Sequence, residues 1–227
     1  MEKYTLVTEV TRMGWPYICV AGLHFPSQNI IRPLPKNDQN WQMRDYDEGI
    51  FRLGNLIEAD FDTSINQDEL PHSIEDSRQE VKPVKIGEIS EKEVFDRIKK
   101  YATNNVVDTF QSSPIDNKYY LEKQAKRSLG GIIIDTEQFE FEVHTDNNIR
   151  GIFTDNDSSK YDLKINSLRI MADLKRQELS NLNDKNRFLN STYKHKKKHI
   201  NIRLGLTRPW TNKGMFNPPR SYIQINE

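Results

Sequence analysis

The chain has 227 residues, enough for one large or two small domains; at 35% apolar and 29% charged it is polar for a globular protein but too rich in core-forming side chains for disorder. Its 33 basic and 33 acidic residues cancel, which excludes a whole-molecule basic field and confines any nucleic-acid site to a local patch. One cysteine, Cys19, excludes an intrachain disulfide and a multi-cysteine zinc site.

The N-terminus, MEKYTLVTEV, lacks a basic start followed by an apolar run, so it does not read as a signal peptide. No apolar run approaches the ~20 residues that span a bilayer. The expectation is a soluble, cytoplasmic protein with no membrane partner. Tyr4 to Thr11 alternates and predicts a strand. Met13-Gly14-Trp15-Pro16 is a turn, and Tyr17 to Leu23 and Ile30 to Leu34 are two further strands. Cys19 falls mid-strand and reads as a small buried side chain. Residues 36–50 are polar and read as a loop, with Trp41 and Tyr46 as loop anchors or as stacking partners for bases.

Leu53 to Asp62 gives the cleanest alternation of the first half, Ile57, Ala59 and Phe61 against Glu58, Asp60 and Asp62. A loop carrying Pro71-His72 and Glu75-Asp76 follows, then an edge strand over Gln79 to Ile89, interrupted by Pro83. Ser90 and Glu93 form a capping box that opens a helix to about Ala102, with Val94, Ile98 and Tyr101 at helical spacing. Asn117 to Arg127 reads as a second short helix.

Beyond Gly130-Gly131 the strand pattern resumes. Phe139, Phe141 and Val143 alternate with acids, Asp146-Asn147-Asn148 turns the chain, Ile149 to Thr154 pairs back, and Tyr161, Leu163 and Ile165 follow at period two. Leu168, Met171, Ala172, Leu179 and Leu182 mark a helix. Residues 183–199 are polar and basic. Ile200 to Leu206 alternates, Trp210 to Pro219 is a loop, and Ser221 to Ile225 is a last strand. The pattern predicts a mainly β (α+β) chain with helical insertions. It divides into two OB-like Greek-key β-barrels, 1–89 and 128–227, joined by a helical linker, 90–127, with a helix inserted in the second barrel.

Three motifs in order carry a resemblance. They are the run LVTEVTRMGWPYICVAGLHFPSQNIIRPLP, the Pro71-His72 and Glu75-Asp76 pairs after LIEADF, and the closing IRLGLTRPW. Together they resemble the dual OB-fold-containing (DuOB) family of prokaryotic proteins, over nearly the whole chain. The matching positions are Arg12, Gly22, Arg32, Pro33, Pro71, His72, Glu75, Thr207 and Arg208. Asn166-Ser167-Leu168 stands where a Thr-Asp-Pro turn is expected, so a role for that aspartate does not carry over. The resemblance implies two OB-like barrels and a nucleic-acid or nucleotide recognition role, in defence or nucleic-acid processing.

The strongest compositional signal is charge segregation. Residues 184–220 hold ten Lys or Arg against one acid, 10 − 1 = +9; residues 42–80 hold three against eleven, 3 − 11 = −8. Cations that track phosphates, interleaved with aromatic faces that stack bases at ~1–3 kcal/mol each, suit a single-strand groove. The candidate nucleic-acid-binding residues are Arg12, Arg32, Tyr193, Lys194, Lys196, Lys197, Lys198, Arg203, Arg208 and Trp210, with Phe216 and Tyr222 nearby. A solvated basic hairpin, or a flank paired with the chain's own acids, is the plainer reading of the same residues.

Catalytic patterns are thin. There is no HExxH, P-loop, GxGxxG or GxSxG, and His195/His199 sit in a basic run that repels a cation. No catalytic, metal or cofactor residues are assigned. His72, Glu75 and Asp76 could form an acid–base or metal set, although a surface turn is the simpler reading. Two alternatives to nucleic-acid binding therefore stay open: a protein-interaction adaptor, and a metal-dependent nuclease or nucleotide hydrolase.

Overall fold

The computed structural model describes residues 4–36, 40–60, 69–79, 81–194 and 197–227. The chain divides into two compact units, Met1–Tyr101 and Ala102–Glu227. Both are mainly β. The stretch expected as a linker, 90–127, divides between them, its first helix belonging to unit 1 and the rest to unit 2.

In unit 1, β1 (Tyr4–Arg12), β2 (Tyr17–His24) and β3 (Asn29–Pro35) form an antiparallel meander. A register shift between Val7 and Glu9 marks a bulge in β1, the kind of extra residue that bends a strand. Gly22 sits opposite it, where an added Cβ would come within 2.6 Å of the Leu6 carbonyl oxygen. The expected loop after β3 instead contains β4 (Trp41–Gln42), paired with β2, and α1 (Met43–Asp47). Asp45 caps this helix by accepting from the Gln42 N–H at 2.8 Å. Five helical residues, Met43 to Asp47, are too few to show a periodicity that reads as a helix. Trp41 and Tyr46 are both buried, and the Trp41 Nε1–H donates to the Pro33 carbonyl at 2.8 Å.

Strand β5 (Asn55–Glu58) lies antiparallel to β1, with Ile57 buried and Glu58 exposed; Phe61 and Asp62 of the expected strand lie outside the described residues. Of the predicted strand over 79–89, Val84–Glu88 forms β7, antiparallel to β5, while β6 (Asp76–Gln79), parallel to β3, comes from the stretch expected as a loop. Proline has no N–H to offer a ladder, so Pro83 falls between them. The sheet order is β6-β3-β2-β1-β5-β7. Helix α2 (Glu91–Ile98) starts at Ser90 with the predicted reciprocal cap and buries Val94 and Ile98.

Unit 2 opens with α3 (Val106–Phe110), and residues 117–127, expected as a helix, supply instead β8 (Tyr119–Leu121). Then come β9 (Leu129–Asp135), β10 (Phe139–Val143), β11 (Ile149–Thr154) and β12 (Lys160–Lys164), close to expectation. Helix α4 (Leu168–Arg176) is followed by α5 (Leu182–Lys194), which occupies much of the stretch read only as polar and basic. Strands β13 (His199–Leu206) and β14 (Arg220–Ile225) close the chain. Two sheets result, β10-β11-β12 and β8-β14-β13-β9. Phe139, Phe141, Phe153, Leu189, Ile202, Leu204, Ile223 and Ile225 belong to one buried core.

Helix α5 also protects a sheet edge. Asn190 accepts from the Phe141 N–H (3.1 Å) and donates to the Phe141 carbonyl (2.9 Å), while Asn186 accepts from the Val143 N–H (2.7 Å). Two amides one helical turn apart thus stand in for a neighbouring strand along β10.

Candidate nucleic-acid interface

The loop between β13 and β14 builds an aromatic surface. Trp210 and Arg220 exchange backbone hydrogen bonds at 2.9 and 3.0 Å, which extends the ladder beyond β14. Asn212, Lys213 and Gly214 have positive φ in succession, and the Phe216 N–H returns to the Thr211 carbonyl at 2.8 Å. Phe216 is thereby brought back beside Trp210, ring centroids 5.7 Å apart and edge to face. On β14, Arg220 and Tyr222 share the face opposite the core residues Ser221 and Ile223, and Tyr222 stands across from Tyr119 of β8.

These side chains close a circuit. The Arg220 guanidinium lies 4.0 Å from the Phe216 centroid and 4.5 Å from that of Tyr119. Tyr119 meets Tyr222 at 5.6 Å, and Tyr222 meets Trp210 at 6.4 Å. A guanidinium between two rings gains cation–π stabilisation of about 0.5–2 kcal/mol per contact and fixes both ring planes. Trp210 is 51% exposed, and the neighbouring Arg208, Lys213 and Met215 are also exposed. The surface combines rings that meet edge to face or tilted, Trp210 the most exposed of them, with exposed Arg208 and Lys213 beside them in sequence.

The predicted binding residues separate into two groups. Lys197, Lys198 and Arg208 are exposed, as is Arg12 in unit 1, and Lys194 is half-buried at the end of α5. Lys196 lies outside the described residues. Arg32, Tyr193 and Arg203 are buried and present no surface to a ligand. Tyr193 turns into the core of unit 2, where its hydroxyl donates to Asp173 at 2.5 Å; burial, and then that bond, raise its ionisation well above the ordinary phenol range. Arg203 is 1% exposed and lies across Gly131, where an added Cβ would come within 2.7 Å of Nη1. Its alternation on β13, opposite Ile202 and Leu204, suggested an outer face, but that face is covered too. Of the other basic residues in 184–220, Arg187 pairs with Asp184 at 3.1 Å. In the sequence Phe216 stands only as a nearby aromatic and Arg220 only as one of the ten cations of 184–220, while Tyr119 reads as part of a helix. The signal for Arg220 was available, as a cation two residues before an aromatic on a strand; nothing in the sequence joined Tyr119 to them.

In unit 1 the acid-rich loop also differs from expectation. His72, Glu75 and Asp76 are buried, not part of a surface turn. The parallel pairing of β3 with β6 sets Arg32 opposite Asp76, and their side chains form an ion pair at 2.5 Å. The Arg32 N–H also donates to the Glu75 carbonyl at 2.5 Å. Burial works against the Arg32 charge, but Cys19, Asp76 and Glu75 outweigh it and hold the guanidinium above its ordinary range. Burial pushes the Cys19 thiol up, with Arg32 pulling the other way. This is a structural pair inside a sheet. Among the described residues, no group of three or more His, Cys, Asp or Glu is arranged to hold a metal ion, and no helix is long and apolar enough to cross a membrane.

No family model, curated protein or solved structure matches the chain.

Proposed function

We propose that the protein binds unpaired nucleic acid through unit 2, and that each unit is an OB-like barrel in the sense of the dual OB-fold resemblance. The observation that carries the reading is the Trp210–Phe216–Arg220–Tyr119–Tyr222 circuit at the solvent edge of the β8-β14-β13-β9 sheet, rimmed by exposed cations. Bases stack on such faces whatever their sequence, and Lys and Arg follow the phosphates. Unstacked bases of a single strand or a loop suit this surface; paired bases hide their faces.

The test is a titration of labelled single strands at several salt concentrations. Trp210→Ala is expected to weaken binding about 5- to 150-fold, the ~1–3 kcal/mol of one lost base stack. Binding at low salt that ignores Trp210→Ala, or no binding at all, overturns the reading.

One observation favours the adaptor alternative. Strand β7 ends the unit 1 sheet with Val84 and Ile86 exposed, beside exposed Val81. An apolar edge strand is a template for a further strand. Co-purification of a stoichiometric protein, lost in Ile86→Lys, would support that role.

A further inference from the structure

A second exposed aromatic group lies in unit 1, at the tip of the β1–β2 hairpin. Trp15 is 73% exposed, Tyr17 40% and Met13 37%. The tip is held in place. The Met13 N–H donates to the Tyr17 carbonyl at 3.0 Å, the Tyr17 N–H to the Gly14 carbonyl at 2.8 Å, and the Met43 N–H, from the start of α1, to the Pro16 carbonyl at 2.8 Å. Three backbone bonds over so few residues fix where the rings project. Among the described residues neither the Trp15 nor the Tyr17 ring packs on another ring or a cation. Arg12, the last residue of β1, is exposed and makes no ion pair among the described residues; Arg44, next to Met43, is the same.

Solvent-facing rings on a turn held by backbone bonds, with Arg12 three residues before Trp15 in the chain and unpaired among the described residues, suit a ligand that is flat, apolar and anionic, although exposed Asp47 and Glu48 follow Arg44 at the end of α1. A nucleotide brings both the flat face and the charge. We infer that the β1–β2 tip is a second base-stacking site, Trp15 taking the base of an unpaired nucleotide and Arg12 its phosphate. This rests on the nucleic-acid reading of the protein but uses different residues in a different unit.

The chain has three tryptophans, Trp15, Trp41 and Trp210, of which Trp41 is buried. The experiment is ¹⁹F NMR on the full-length protein labelled with 5-fluorotryptophan, with resonances assigned by Trp15→Phe, Trp41→Phe and Trp210→Phe. The probe is oligothymidylate of about 12 nucleotides at low salt, within the site size usual for one such barrel. The expected result is that the Trp15 and Trp210 resonances both shift and Trp41 stays still, and that Trp15→Ala weakens binding about fivefold or more while Trp15→Phe retains it. A shift of Trp210 alone overturns the inference and leaves the unit 2 reading standing. A shift of Trp15 alone supports the inference and removes the unit 2 reading. Stillness of both overturns both. A Trp15 resonance that moves with protein concentration in the absence of oligonucleotide assigns the tip to a second copy and overturns the inference.

Discussion

Arg32 and Lys198 carry the same charge, both come from stretches rich in binding candidates, and they differ in what surrounds them. Arg32 is enclosed with Asp76 inside a sheet; Lys198 is in water. Removing one partner of a buried pair leaves the other charge uncompensated, so Arg32→Ala is expected to destabilise unit 1 by about 3–5 kcal/mol, read from urea unfolding. Replacing Lys197 and Lys198 with Glu is expected to leave stability within about 0.5 kcal/mol and to weaken binding to every strand sequence alike. His24 adds a pH dependence. It hydrogen-bonds Thr5 at 3.0 Å, and burial lowers its pKa below the ordinary 6.5. The unfolded chain then takes up a proton before the folded one does, so the stability present above pH 6.5 is lost as pH falls through the folded pKa. Unfolding of the His24→Asn variant should show a flatter profile between pH 7 and 5, which denaturation across that range would measure.

At the scale of elements, the sequence was legible wherever one face met water. The alternation over Phe139 to Leu163 and the Ser90–Glu93 cap lead directly to β10, β11, β12 and α2. It was opaque where an element is short or covered on both faces. Helix α1 has five residues, β8 has three, and α5 is so polar that its buried Leu189 and Tyr193 are submerged in Asn and Lys. The partner of Arg32 could not be read either, because the parallel β3·β6 pairing joins residues 44 positions apart. The same limit applies to the candidate site: Trp210 and Phe216 were visible as loop aromatics, but Tyr119 belongs to a strand that was expected to be helix. The amides of α5 give a test at this scale. Asn190→Ala withdraws a donor and an acceptor from Phe141, at about 1–3 kcal/mol for polar groups left unsatisfied. It also uncovers part of the β10 edge, so self-association at high concentration is expected by size-exclusion chromatography.

For the whole molecule, a net charge of zero conceals a segment of +9. That segment is not all available. Arg203 is buried, Arg187 is paired, and Arg220 is held between rings. Within the segment, Lys197, Lys198, Arg208 and Lys213 are exposed. If those four replace counterions, log K should fall against log salt with a slope of about −3, at roughly 0.7 per phosphate on a single strand. A slope near −7 would mean that most of the segment's charges engage, contrary to their placement.

The aromatic circuit draws Tyr119 from the first strand of unit 2 and its other members, Trp210, Phe216, Arg220 and Tyr222, from around β14. It therefore does not exist in a denatured polypeptide. Any oligonucleotide that stacks there selects native over unfolded molecules, and at one hundred times its dissociation constant should add about 2.7 kcal/mol to the stability of unit 2. A melting curve run with and without oligothymidylate would read recognition as heat resistance, without any label on either partner.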